Sequence, residues 1–236
     1  MQKLLSYVRS ACEHYDMIND NDKIAVGVSG GKDSLVLLTA LCEMRRFYPK
    51  KYDIIAITLD PCFENTHTDY SDIEQLCSSY GIEYVIKRTE LYHIIFETRK
   101  EKNPCSLCAR MCRGSLHDLA KELGCNKIAL GHHSDDAVQT FFMNLFENGA
   151  AECFSPVSFL SRKNLTMIRP LIFTKEKDIA RVAKKINLPV VQSRCTVDGS
   201  TNRVKTEELI KELEKQYPAL RKKVLNALQK GNISKW

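Results

Sequence analysis

The stretch 23-KIAVGVSGGKDSLVLLTALCEM-44 decides the fold. Lys23 to Val28 is a short apolar run that reads as a strand, and from Asp33 to Arg46 the apolar residues recur at helical spacing. Between them lies 29-SGGKDS-34, so a glycine-rich turn joins the end of a strand to the start of a helix. Such a junction is an anion site. Glycines let the backbone approach a phosphate, amide N–H groups at the helix start point toward it, and Lys32, Ser29 and Ser34 add donors. The same glycines would also suit a strand–helix turn that holds no ligand. The segment is not a Walker A loop, which needs four residues between its first glycine and its Gly-Lys, and Ser or Thr after the lysine. Here three residues separate Gly27 from Gly31, and Asp33 follows Lys32.

Working outward, the pattern of strand then helix repeats. A leading helix is expected over 2–17, then strand 53-DIIAITL-59 with helix 69–80, strand 83-EYVIK-87 with helix 106–123, and strand 127-KIALGH-132 with helix 135–147. Four apolar strands, each followed by a helix, predict an α/β fold: a parallel sheet with helices on both faces and ligands at the carboxyl ends of its strands. Residues 153–171 read as irregular structure leading into a final strand, 167-MIRPL-171, followed by helix 175–186. The charged tail from Thr206 to Lys230 reads as two short helices broken near Pro218. We therefore expect one main domain over 1–200 and a small helical, basic extension over 201–236.

Composition sets further bounds. The chain has 236 residues, 44% of them hydrophobic, which is enough for one sizeable core. No stretch approaches the roughly 20 apolar residues of a membrane span. The first residues lack a signal-peptide pattern, so a cytoplasmic protein with no membrane partner is expected. Most of the ten cysteines stand singly among apolar neighbours, which favours reduced, buried thiols over disulfides. The net charge of +6 permits a polyanionic partner without requiring one. The basic residues of the tail, including Lys205, Lys211, Arg221, Lys222 and Lys223, would suit a nucleic-acid surface or a solvated helix face equally well.

A second constellation is 105-CSLCARMCRG-114. Thiols three residues apart at a helix start can share one metal ion or one iron–sulfur cluster, and the helix dipole favours their ionised form. They would also serve as a redox pair, as half of a zinc site, or as two ordinary cysteines. With no second CxxC, further ligands would come from Cys112, one turn beyond Cys108, or from Cys195 in the polar loop SRCTVDG. A third group, 131-GHHSDD-136, closes the fourth strand and opens a helix. Asp135 and Asp136 suit the helix dipole, as caps or as Mg²⁺ ligands. His132 and His133 are either metal ligands or part of a pocket wall.

Taken together, SGGKDS, CSLCARMCRG, KIALGHHSDD, MIRPL and the later Cys195 resemble the tRNA 2-thiocytidine synthetase family of PP-loop ATP pyrophosphatases, in order along residues 23–203. GHHSDD and IRPL followed by KEKDI also resemble the tRNA-lysidine ligases, in which CSLC is not expected. The zinc-finger cysteine pairs of the related 2-thiouridine synthetases are absent. The resemblance implies a tRNA sulfurtransferase that adenylates a cytidine C2 oxygen in the anticodon loop with ATP and Mg²⁺, forms AMP and pyrophosphate, and inserts sulfur with a 4Fe-4S cluster. It implies nucleotide contacts at Ser29, Gly30, Gly31, Lys32, Asp33, Ser34, Gly131 and His132, and Mg²⁺ at Asp33 and Asp136. It also implies a catalytic set of Lys32, Asp33, Asp136 and Arg113, and cluster ligands Cys105, Cys108 and Cys195. Arg110 and Arg169 join Arg113 as phosphate or RNA contacts. The expected partners are tRNA and a sulfur donor such as a cysteine desulfurase, with a homodimer as one assembly. Two other readings keep the nucleotide site: a PP-loop sulfurtransferase or adenylating ligase with another acceptor, and a nucleotide-regulated RNA- or metal-binding module.

Overall fold

The computed structural model describes residues 1–63, 66–98, 104–192 and 202–236, and of Cys105 the backbone alone; Cys195 lies outside them. After helix α1 (Gln2–His14) the chain forms β1 (Asp22–Gly27), α2 (Lys32–Met44), β2 (Tyr52–Asp60), α3 (Ser71–Ser79) and β3 (Glu83–Arg88). A π-helical turn, His93–Thr98, precedes α4 (Pro104–Glu122), β4 (Lys127–Ala129) and α5 (Ser134–Glu147). Then follow β5 (Val157–Leu160), β6 (Leu165–Ile168), α6 (Glu176–Lys185), α7 (Asn202–Gln216) and α8 (Leu220–Lys230). The six strands form one sheet in the order β3-β2-β1-β4-β6-β5. Every pair is parallel except β5–β6.

The apolar strands are continuous because both faces are covered. Ile24, Val26, Ile54 and Ala56 join a core with α1, α2, α3 and α6, whereas Ala25, Ile55, Ile57 and Ile128 pack against Leu116, Leu119 and Ala120 of α4. Helix α2 is apolar nearly all round, with Leu35, Val36, Leu37, Leu38, Ala40 and Leu41 all fully buried, as its place beneath α1 and α6 requires. The tail helices pack on α5 through Ile210, Val224, Val138 and Phe142. Trp236 closes back on the main core and donates its indole N–H to the Phe154 carbonyl at 2.8 Å.

Several boundaries differ from the expectation; α1, for one, ends at His14 and not at residue 17. The segment before the final strand is irregular only over residues 153–156: from Val157, β5 and β6 form an antiparallel hairpin turned through Asn164, which has a φ of +49°. The final strand runs Leu165–Ile168 and stops before Pro170, which has no N–H to give the ladder. The fourth strand ends at Ala129: Leu130 N–H still donates to the Ile168 carbonyl, but Gly131 already lies against the backbone of Asp33 and Ser34 at the start of α2.

One buried ion pair fixes the start of the central strands. Lys127 Nζ lies 2.7 Å from Asp22 Oδ2 and donates to the Met17 carbonyl at 2.8 Å, while Asn126 Nδ2 donates to Asp22 Oδ1 at 2.7 Å. Removing one partner leaves the other charge buried and uncompensated. Asp22→Ala is therefore expected to lower unfolding free energy by about 3–5 kcal/mol in a urea titration; a loss below about 1 kcal/mol would show the pair to be dispensable.

Candidate active site

Strands β1 and β4 lie side by side and deliver two loops to one place. After β1, Gly30 adopts a φ of +85°, and a Cβ there would lie 3.0 Å from the Val191 Cβ. The position admits glycine for both reasons. The Gly30 carbonyl accepts from Val191 N–H at 3.0 Å, so the chain beyond α6 returns to brace the loop. Ser34 Oγ donates to the Gly31 carbonyl at 2.9 Å and accepts from Ser29 N–H at 3.1 Å, which curls the turn around the start of α2. After β4, a Cβ on Gly131 would meet the backbone of Asp33 and Ser34 at 3.1 Å. The two loops thus touch backbone to backbone.

This contact brings the acidic start of α5 to the acidic start of α2. His133 caps α5: its N–H donates to Asp136 Oδ2 at 3.0 Å, and its Nδ1 accepts from Asp136 N–H at 3.4 Å. Its Nε2 stands 3.4 Å from Asp136 Oδ2 and 3.8 Å from Asp33 Oδ1. Asp33 Oδ1 is buried without a hydrogen-bond partner among the described residues. Lys32 Nζ sits 3.1 Å from Asp33 Oδ2 and 3.0 Å from Glu176 Oε1. Partial burial disfavours the Lys32 charge, but the carboxylates of Glu176 and Asp33 outweigh it and raise the ammonium above its ordinary value.

An outer layer of arginines holds these carboxylates. Arg221 of α8 reaches Asp135 Oδ1 at 3.2 Å, Glu207 at 2.6 Å and Glu214 at 3.1 Å, and Arg203 of α7 reaches Asp136 Oδ1 at 3.2 Å. Asp135 Oδ2 in turn accepts from Glu176 N–H at 2.8 Å. Sequence reasoning missed Glu176, Arg203 and the inward role of Arg221. The acidic first turn of α6 is a local signal for Glu176, whereas the arginine contacts span 67 and 86 residues and leave none. Lys222 and Lys223, beside Arg221, are exposed.

Beside the loop opens a cavity of about 360 Å³, floored by Ile57, Leu59, Leu116 and Leu130 and edged by Ser29 and Arg113. Its apolar floor and polar rim suit a flat heterocycle whose phosphates extend to the loop. Two other predicted residues lie outside its lining, His132 half-buried and Arg169 buried. His132 lies 5.1 Å from the Phe154 ring; burial first, and then the nearby Arg169 charge, push it down to about 4. Arg169, only 6% exposed, stacks its guanidinium 4.9 Å above the same ring. His132 and Arg169 thus share the Phe154 ring, and neither lines this cavity.

Helix α4, which bears the CxxC, lines the same cavity through Cys112, Arg113 and Leu116. Cys108 Sγ lies 3.9 Å from Cys112 Sγ, and that contact lowers the Cys108 thiol to about 7 while raising Cys112. Cys112 also lines the cavity, and Arg110 is exposed on the same helix. The side chain of Cys105 and the whole of Cys195 fall outside the described residues.

A phosphate cradle at a strand–helix junction, an acidic second loop and an adjoining apolar cavity at the carboxyl end of a parallel sheet define a PP-loop nucleotide site. The PP-loop domain family matches residues 4–213. The tRNA-cytidine(32) 2-sulfurtransferase of Geobacter sulfurreducens is 39% identical over 235 residues, covering 98% of this chain and 90% of that protein. The protein of the same name from Geotalea daltonii is 40% identical over 230 residues, covering 96% and 90%. Among solved structures, the U34-tRNA thiolase NcsA from Methanococcus maripaludis with its 4Fe-4S cluster superposes with a TM-score of 0.77 at 27% identity, covering 97% of this chain and 77% of that one. The chain belongs to the PP-loop family, on the branch of the tRNA-cytidine 2-sulfurtransferases.

Gly131 makes the cradle testable. Gly131→Ala must push the loops apart, and a misfit of about 1.4 kcal/mol is a tenfold loss of affinity. Calorimetry should show ATP binding weakened about tenfold or more with an unchanged far-ultraviolet spectrum. Wild-type affinity in Gly131→Ala would mean that phosphates do not sit at this junction.

Proposed function

We propose that this protein is an ATP-dependent tRNA sulfurtransferase that adenylates the C2 oxygen of a cytidine and replaces it with sulfur. The observation that supports the reading is that Ser29 of the SGGKDS turn and Arg113 of the helix bearing CSLC line one cavity, while Asp33 and Asp136 both approach His133 beside the same turn.

The cytidine oxygen attacks the α-phosphorus of ATP, the bond to the bridging oxygen breaks, and pyrophosphate leaves. Lys32 and the amides at the start of α2 oppose the charge that gathers on the leaving group. In the free protein Glu176 holds the Lys32 ammonium, and the incoming phosphates compete for it. The buried, unpartnered Asp33 Oδ1 and the neighbouring Asp136 carboxylate fit a hard cation, so these two residues would hold Mg²⁺, which screens the phosphate charge. Arg113 at the rim supplies a further positive charge, and the apolar floor excludes water from the activated base. Sulfur then attacks C2, the carbon–oxygen bond breaks, and AMP departs. Cys105, Cys108 and Cys195 would hold the 4Fe-4S cluster, since thiolates are the ligands such clusters take. When bound, that cluster presents sulfur as a nucleophile. A persulfide-forming donor such as a cysteine desulfurase supplies the sulfur in this reading, a thiol reductant provides the two electrons that bring the persulfide's outer sulfur to the sulfide level, and the exposed Lys222 and Lys223 belong to the surface that tRNA would meet.

Lys32→Ala and Asp33→Ala are expected to lower tRNA-stimulated pyrophosphate release at least about a hundredfold, the scale of losing one preorganised charge partner, while the fold persists. ADP in place of AMP, or wild-type pyrophosphate release in either variant, would contradict the chemistry.

The ligand set has its own test. Anaerobic protein should hold about four irons per chain. Cys105→Ser, Cys108→Ser or Cys195→Ser should remove most of that iron, because hard oxygen replaces thiolate poorly, and Cys112→Ser should keep it. Iron lost with Cys112 and retained without Cys195 would exchange the two assignments.

A further inference from the structure

A second group of ligating side chains stands at the carboxyl end of β2, outside the PP-loop and the CSLC helix. Asp60, Cys62 and His67 each offer one ligand atom, and the three atoms lie within 4.8 Å of one another. Cys62 Sγ is 3.6 Å from His67 Nδ1. A tetrahedral zinc ion with Zn–S of about 2.3 Å and Zn–N of about 2.0 Å holds its sulfur and nitrogen donors about 3.5 Å apart. The pair therefore already has the separation of two ligands on one ion.

A thiol–imidazole hydrogen bond alone would give the same distance, and three further observations favour a metal. Asp60 is fully buried, and a buried carboxylate is stabilised by a cation. Its two oxygens are oriented by Cys62 N–H at 3.0 Å and Thr68 N–H at 3.2 Å, as outer hydrogen bonds orient ligating carboxylates. Cys62 holds a φ of +53°, a left-handed conformation unfavourable for a residue with a Cβ, and it places the thiol beside His67. Next to the group lies a surface cavity of about 500 Å³, also lined by Arg88, Glu90 and His93, with room for a fourth ligand.

We propose that Asp60, Cys62 and His67 form a zinc site. One carboxylate, one thiolate and one imidazole match the borderline character of that ion, and water or a residue of the adjoining cavity completes the tetrahedron. The site has a structural consequence. Pro61, Phe63, Thr68 and Tyr70, from the same connection, wall the nucleotide cavity, so an ion bound here pins that wall to the end of β2.

The test uses the anaerobic, iron-loaded full chain, exposed to zinc chloride, desalted, and measured for zinc and iron in the same sample. One zinc per chain is expected alongside the iron, with a zinc-edge X-ray absorption spectrum showing one sulfur and otherwise nitrogen and oxygen neighbours. Cys62→Ser and His67→Ala should each reduce retained zinc at least tenfold without changing iron, whereas Cys108→Ser should reduce iron and spare zinc. The wild-type spectrum reports the ligands even if a variant folds poorly. Substoichiometric zinc in the wild type, a shell of two or more sulfurs, or zinc that follows Cys108 and ignores Cys62 would overturn the proposal. None of these outcomes bears on the PP-loop chemistry, which is read from pyrophosphate release.

Discussion

The site depends on one close contact, the backbone of Gly131 against the first turn of α2. Without a side chain at that position, the loops after β1 and β4 meet directly and set the starts of α2 and α5 side by side. The phosphate cradle and the carboxylates Asp33 and Asp136 come together for this reason. The two strands that deliver the loops are themselves held in place at the opposite end of the sheet by the buried Lys127–Asp22 pair. Register at one end therefore sets geometry at the other.

Charge is the second organising constraint. Asp33, Asp135, Asp136 and Glu176 crowd one small region, and carboxylates so close repel unless cations separate them. Lys32 serves from within the nucleotide loop, and Arg203 and Arg221 serve from the tail helices. The tail thus contributes electrostatically to the site although none of its residues lines the nucleotide cavity among the described residues. Arg221 faces inward to three carboxylates, while Lys222 and Lys223 on the same turn face solvent.

Much of this was legible in the sequence where the signal was local. Strands β1 and β2 announce themselves as apolar runs because both their faces are buried, and SGGKDS is readable because glycine, lysine and serine at a strand–helix junction together suit a phosphate. The hairpin strand β5 was missed because it lies at the sheet edge with Phe159 63% exposed, so it has neither a continuous apolar run nor a clean alternation. The arginine clamp and the Asp60–Cys62–His67 group were missed for different reasons. The clamp joins residues far apart in the chain, whereas the ligand group depends on a left-handed Cys62 that no residue type advertises.

The central claim is that ATP cleavage at the cradle is spent on exchanging a nucleoside oxygen for sulfur. It is tested most directly by incubating the anaerobic, cluster-loaded protein with ATP, Mg²⁺, a sulfide source and unmodified tRNA, then quantifying nucleosides and nucleotides together by mass spectrometry. The account predicts 2-thiocytidine formed in step with AMP, one for one. AMP formed without any thiolated nucleoside, or sulfur found on another base, would contradict it.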